Sequence, residues 1–208
     1  MLSAIIVFAV LFAGTASEQQ TVADQFIEDV LAYKLPEKME SMSLNSIAIQ
    51  QLTVHVNALS EKIPERDIIL RNGRIDNMAR EVRRHAKCRP TGADSMDCFV
   101  TIDGTVITFQ GIERNRVNVD FEIKVSHSVI DITVVRGEDG KATLKSFNVQ
   151  AVYPWVYKPV EFSALSEQDI MLESNMKDLM REVIRGVIEN QLMRALKAAL
   201  EAKTFPAL

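Results

Sequence analysis

Two periodicities of matching length constrain this chain most. Between Arg116 and Arg136, Val117, Val119, Phe121, Ile123 and Val125 alternate with Asn118, Asp120, Glu122, Lys124 and Ser126. A period of two describes a strand with one buried face and one wet face. After His127 the phase reverses, and Ile130, Ile132 and Val134 carry the apolar side. One change of phase inside a strand predicts a β-bulge, which bends and twists a sheet. From Ser166 to Ala202 the spacing is helical instead. Leu172, Met176, Leu179, Met180, Val183, Ile184, Val187, Ile188, Leu192, Leu196 and Leu200 form one stripe, with Glu173, Lys177, Arg181, Arg185 and Glu189 opposite. That helix is about 50 Å long, and a strand of roughly 15 residues spans a comparable distance. Both elements bury their apolar faces most simply when the sheet curls around the helix.

The remaining segments fit that frame. Turn signals at Cys88 to Asp97, Gly111 to Asn115 and Gly137 to Gly140 separate four β segments: Ile68 to Lys87, Cys98 to Gln110, Arg116 to Arg136, and Lys141 to Tyr153. Short turns between consecutive strands imply an antiparallel meander. The second segment also changes phase, from Val100, Ile102 and Val106 to Ile107 and Phe109. Asp24 to Leu35 is an amphipathic helix with Phe26, Ile27, Val30, Leu31 and Leu35 on one side, and Pro36 is expected to stop it. The helical character is expected to resume and extend to about Ala48 or beyond, with Pro64 as the stop, although the spacing of Ile47, Ile49, Leu52, Val54 and Val56 also suits a strand. Ser166 is the expected cap of the long helix. Gly186 is expected to mark a close approach of helix backbone to the sheet. The expected fold class is therefore α+β: a long curved antiparallel β-meander wrapped around a long C-terminal α-helix, with a short N-terminal helical region.

Residues 1–17 read as a secretory signal peptide, with cleavage after Ala16 or Ser17 and a single domain over 18–208. The apolar run Ala4 to Ala13 is too short to span a bilayer, which takes about 20 residues, and small residues follow it. The expected location is extracellular. There the two cysteines, Cys88 and Cys98, are expected to form a disulfide across a turn. No further ligands stand near them at metal-binding spacing, so neither a metal nor a cofactor is expected. A net charge of −4 speaks against a nucleic-acid partner.

The stretch Leu70-Arg71-Asn72-Gly73-Arg74-Ile75 with Met78, and the hairpin from Gly137 to Gln150 with Leu144, Ser146, Phe147 and Val149, resemble the mite-allergen-7-like family of arthropod secreted proteins. The signal peptide, short helix and long C-terminal helix are similar in order. That family sits in the tubular lipid-binding superfamily, alongside juvenile-hormone-binding proteins and bactericidal/permeability-increasing protein. The resemblance implies a curved sheet rolled around a helix, a lipid or other apolar ligand between them, and no catalytic residues.

Candidate ligand-binding residues on those faces are Phe121, Ile123, Val125, Phe147, Val149, Trp155, Met176, Met180 and Ile184. Methionine makes an adaptable wall for a flexible chain, and a ligand space there requires a void above about 300 Å³. A second candidate is a basic surface. Arg66 to Arg89 holds eight basic side chains, among them Arg80, Arg83, Arg84 and Lys87, against Asp67, Asp76 and Glu81. This suits an anionic membrane, a lipopolysaccharide or an acidic glycan, and equally suits the solvated face of an edge strand. A third is the aromatic segment Val152 to Val160 with Tyr153, Trp155 and Tyr157, which fits the rim of a ligand opening, a membrane-touching tip or a plug of the core. His127-Ser128 with Asp131 is the nearest approach to a nucleophilic set, but one strand cannot supply the convergence that catalysis needs. The chain is expected not to be an enzyme.

Overall fold

The computed structural model describes residues 17–61, 64–113, 119–157 and 167–208. The expected signal peptide before Ser17 and the expected cap Ser166 lie outside these residues, as does the far side of the turn that follows Glu113.

Helix α1 is a single run in three parts: 17–29, a π-turn at Val30–Lys34, and Leu35–Ser41. Pro36 does not stop it, contrary to the sequence expectation. A proline removes one N–H and crowds the preceding turn. The π-turn widens that turn, and Leu35 N–H bonds back to the Val30 carbonyl. After Ser41 the chain is extended, in β1 (Ser46–Ile49) and β2 (Leu52–Val56). The helix expected to reach Ala48 therefore ends early, because the period-two apolar spacing from Ile47 onwards prevails.

The sheet has five antiparallel rows in chain order. β1 and β2 form the first and pair end to end with β3 (Arg66–Asp76). β3, β4 (Arg83–Arg84) and β5 (Arg89–Gly92) make the second, and β6 (Ser95–Thr101) with β7 (Val106–Glu113) the third. β8 (Val119–Arg136) runs along both β7 and β6, and β9 (Ala142–Tyr157) pairs with β8 on its other side. The expected meander is present, with two corrections, the first being that Cys98 to Gln110 is divided between β6 and β7. Ile68 to Lys87 is not one strand, because Asn77 is left-handed at φ 54° and opens a 3-10 turn at Met78–Arg80.

The phase change expected in the third segment is a bulge, whereas the one expected in the second is a break between β6 and β7. The β8–β9 register slips between Val125 and His127, where the buried side passes from Val125 to Ser128. The third row breaks at 102–105, a turn with Gly104 at φ 97° that stays pinned to β8 by Gly104 N–H to Val125 O (2.9 Å) and Val125 N–H to Thr105 O (2.9 Å). A third irregularity lies in β3, between Arg71 and Arg74, with Asn72 at φ 52°. A Cβ on Gly73 would come within 2.7 Å of Phe109 Cδ1 and 2.8 Å of Ile49 Cβ, so only glycine fits there.

The long helix α2 comprises Glu167–Val187, a π-turn at Ile188–Leu192, and Met193–Glu201. Its position shows how far the sheet curls. Asn175 Nδ2 donates to the His55 carbonyl on β2 (2.6 Å), and Arg181 Nε donates to the Val152 carbonyl on β9 (3.3 Å). The first and last rows of the sheet thus both close onto one helix, which covers edges that would otherwise be open to pairing. Leu172, Met176, Met180, Ile184, Ile188, Leu192, Leu196 and Leu200 are buried in the enclosed core. Gly186 is another correction: nothing lies within 4 Å of a Cβ built there, so it marks no close approach.

Candidate functional site

α1 is docked against the second row by a compact polar joint. Arg84 reaches Asp24 (3.1 Å) and Glu28 (2.5 Å), and the Cys88 N–H donates to Asp24 Oδ1 (2.6 Å). Gln20 Nε2 donates to the Cys88 carbonyl at 3.3 Å. Cys88 is bonded to Cys98 on β6, the disulfide expected from the sequence, so the staple also fixes the helix seat.

Beyond this joint α1 and residues 78–84 diverge and leave a groove of about 610 Å³. Its apolar walls are Leu31, Ala32, Pro36, Ala79 and Val82, and its polar groups are Glu28, Arg80, Arg83 and Arg84. Of the basic cluster, Arg84 is spent on Asp24 and Glu28, while Arg80, Arg83 and Lys87 are exposed. Among the described residues Arg80 and Arg83 form no ion pair; Arg83 donates only to the neighbouring Val82 carbonyl (3.0 Å). An apolar slot with two uncompensated guanidinium groups at its rim can take an anion that carries a hydrocarbon tail.

The sequence-expected interior set divides. Phe121, Ile123, Val125, Val149, Met176, Met180 and Ile184 are buried between sheet and α2, and Phe147 packs half-buried at their margin. Met176, Met180 and Ile184 line none of the three grooves described here. Trp155 stands apart from its companions: it is on the outer face of β9, with Tyr153 and Tyr157. There it borders a shallower groove of about 500 Å³ with Asp103, Gly104, Lys124, Ser126 and Tyr157. A groove of about 620 Å³ over the β3 bulge is mixed, with Asn72, Arg74, Asp120 and Glu122 beside Phe109 and Phe121 in its walls.

The His127-Ser128 pair is not a nucleophilic site. Ser128 is fully buried. Its Oγ accepts from the Ile102 N–H (2.8 Å), contacts Thr101 Oγ1 (2.9 Å) and donates to Asp103 Oδ1 (2.8 Å). Those three bonds use its one proton and both lone pairs. His127 sits 3.8 Å from Asp103 and stacks on Tyr153, away from that oxygen. The network clamps the 102–105 turn to β8. Among the described residues no cluster of His, Cys, Asp or Glu could hold a metal ion, and no helix is long and apolar enough to cross a membrane.

Missing from the sequence reading were Leu31, Ala32, Pro36, Ala79 and Val82. Their grouping depends on where α1 docks, and the only local signal was Ala79 and Val82 interleaved with the arginines.

No protein-family model and no curated relative matches the chain. Solved structures similar in shape include a lipopolysaccharide binding protein and a Takeout protein. The lipopolysaccharide binding protein is 9% identical, with a TM-score of 0.45 over 85% of this chain and 40% of that one. Takeout 1 of Epiphyas postvittana is 12% identical, with a TM-score of 0.32 over 90% and 87%. These similarities are too slight to carry a functional argument.

Proposed function

We propose that the chain is a secreted, non-enzymatic binding protein for amphipathic lipids, held in the groove between α1 and residues 78–84. One observation carries this reading: a slot of about 610 Å³, within the usual ligand range of roughly 300–1,000 Å³, joins an apolar lining to Arg80 and Arg83, which form no ion pair among the described residues. The lining accepts hydrocarbon, and the guanidinium groups select a carboxylate or phosphate head. Export suits the role, because such ligands dissolve poorly in extracellular fluid. The test is calorimetric titration with laurate, dodecyl phosphate and dodecanol. Both anionic amphiphiles should bind and dodecanol should bind at least about tenfold more weakly, the loss of about 1.4 kcal/mol of head-group attraction. Ala32→Trp, at an exposed position of the wall, should abolish binding without unfolding α1. Equal binding of dodecanol, or an unaffected Ala32→Trp, contradicts the proposal.

A second reading keeps the ligand between sheet and α2. It is favoured by Met39, Met78, Met96, Met176 and Met180, all buried in one core and able to repack around an apolar chain. It requires the packed faces of Ile123, Val125 and Ile184 to part.

A further inference from the structure

The outer face of β9 carries a feature that neither lipid reading uses. Tyr153, Trp155 and Tyr157 occupy alternate positions, so their side chains share the wet face while Val152, Pro154 and Val156 face the core. They are 53%, 52% and 47% exposed, far more than rings of that size usually are in a folded chain. Two of them are nonetheless fixed. Lys177 Nζ lies 4.7 Å from the Trp155 ring centroid, a cation–π contact that seats the indole. Tyr153 stacks on His127 at 6.0 Å and 18°, and His85 braces His127 edge-on at 5.7 Å. Beside Trp155 and Tyr157 the 102–105 turn and the β8 bulge form the groove of about 500 Å³, which brings Asp103, Lys124 and Ser126 to the aromatic surface.

We propose that this is a saccharide site that takes a neutral oligosaccharide. A pyranose ring has apolar C–H faces and a rim of hydroxyls that both donate and accept. Trp155 and Tyr157 supply flat apolar surface for the first. The Asp103 carboxylate accepts and the Lys124 ammonium donates for the second, and the Ser126 hydroxyl, whose proton goes to the Tyr153 carbonyl, accepts. Fixing the rings in advance lowers the ordering cost of binding. A hydrocarbon tail would have to desolvate the Asp103 carboxylate and the Lys124 ammonium and would offer neither a hydrogen bond in return. An anionic membrane would meet Asp103, Asp120 and Glu122 close to this face.

Trp155 is the only tryptophan in the chain, so its emission reports on this site. The test is a fluorescence titration with β-1,4-linked oligomers of glucose, N-acetylglucosamine and mannose. At least one series should give a saturable change with a midpoint below about 1 mM. Tyr157→Ala should weaken it about tenfold, the loss of one stacked ring. Calorimetry on Trp155→Ala, with its fold checked by thermal melting, should show at least as large a loss. Neutralising Arg80 and Arg83 should change nothing, which separates this site from the lipid groove. No saturable response to any series up to about 10 mM, undiminished binding by Trp155→Ala, or an emission change with phosphatidylglycerol vesicles but no sugar overturns the proposal.

Discussion

Replacing Ser128 with alanine tests whether the buried hydroxyl is a clamp. Its Oγ accepts the Ile102 N–H at 2.8 Å and donates to the Asp103 carboxylate at 2.8 Å, in a side chain with no exposed surface. Alanine strands a buried backbone N–H, which costs about 1–3 kcal/mol, and removes a bond to a charged acceptor worth a similar amount. Some of that loss returns as Asp103, partly exposed, turns to water. A net destabilisation of about 2–4 kcal/mol follows, and a domain of this size loses about 2–4 °C per kcal/mol, so the midpoint should fall by roughly 5–15 °C. The assay is thermal melting by circular dichroism, with urea unfolding to give the free energy. Ser126→Ala is the control two positions away: its exposed Oγ donates only to the Tyr153 carbonyl (2.8 Å), and the change should cost under about 0.5 kcal/mol. If Ser128→Ala is as stable as that control, the hydroxyl clamps nothing and its three bonds need another explanation.

Gly186→Ala should stabilise the protein by about 0.5–1 kcal/mol in urea unfolding, because α2 gains helix propensity where open space surrounds the new methyl. Gly73→Ala should destabilise by about 1–3 kcal/mol, and Phe109→Leu in the same chain should recover part of the loss, since the Phe109 ring is what the methyl meets. Replacing both Cys88 and Cys98 with serine should cost about 3 kcal/mol for a loop closed over a separation of 10 residues, read as a lower urea midpoint. The Asp139 carboxyl is held below its ordinary range chiefly by the Lys141 N–H, so it lends stability at neutral pH that is lost as pH falls through its lowered folded value. An NMR titration should place its midpoint below 3.8; a midpoint above 3.8 would remove the role of that bond.

The sheet was legible because its pattern is local. Val117 to Val134 states both the alternation and the bulge, and the length of α2 states how much sheet it can carry. Pro36 misled because a widened turn absorbs it, and a π-turn leaves no composition signal. Gly186 misled because a glycine reads the same whether space is tight or empty. At Ser46 to Val56 two periodicities competed, and pairing with β3 decided between them. For Trp155 the sequence left a ligand rim, a membrane-touching tip and a core plug open, and the alternation of β9, which turns it outward with Tyr153 and Tyr157, excludes the plug. The arginines of the candidate site were visible by charge, whereas Leu31, Ala32 and Pro36, which complete its apolar wall beside Ala79 and Val82, come from α1, more than 40 positions away in the chain. The docking of α1, with Asp24 and Glu28 on Arg84 and its apolar face in the core, brings them together.

Methyl NMR mapping with laurate tests the location of the ligand most directly, since leucine, alanine and valine methyls line the groove and methionine methyls line the interior. Saturable shifts at Leu31, Ala32, Ala79 and Val82, diminished by Arg80→Gln with Arg83→Gln and weakened as salt shortens the screening length from about 10 Å to about 3 Å, are the expected result. Shifts confined to Met176, Met180 and Ile184, with the groove silent and no response to salt, would contradict it and place the ligand inside the sheet.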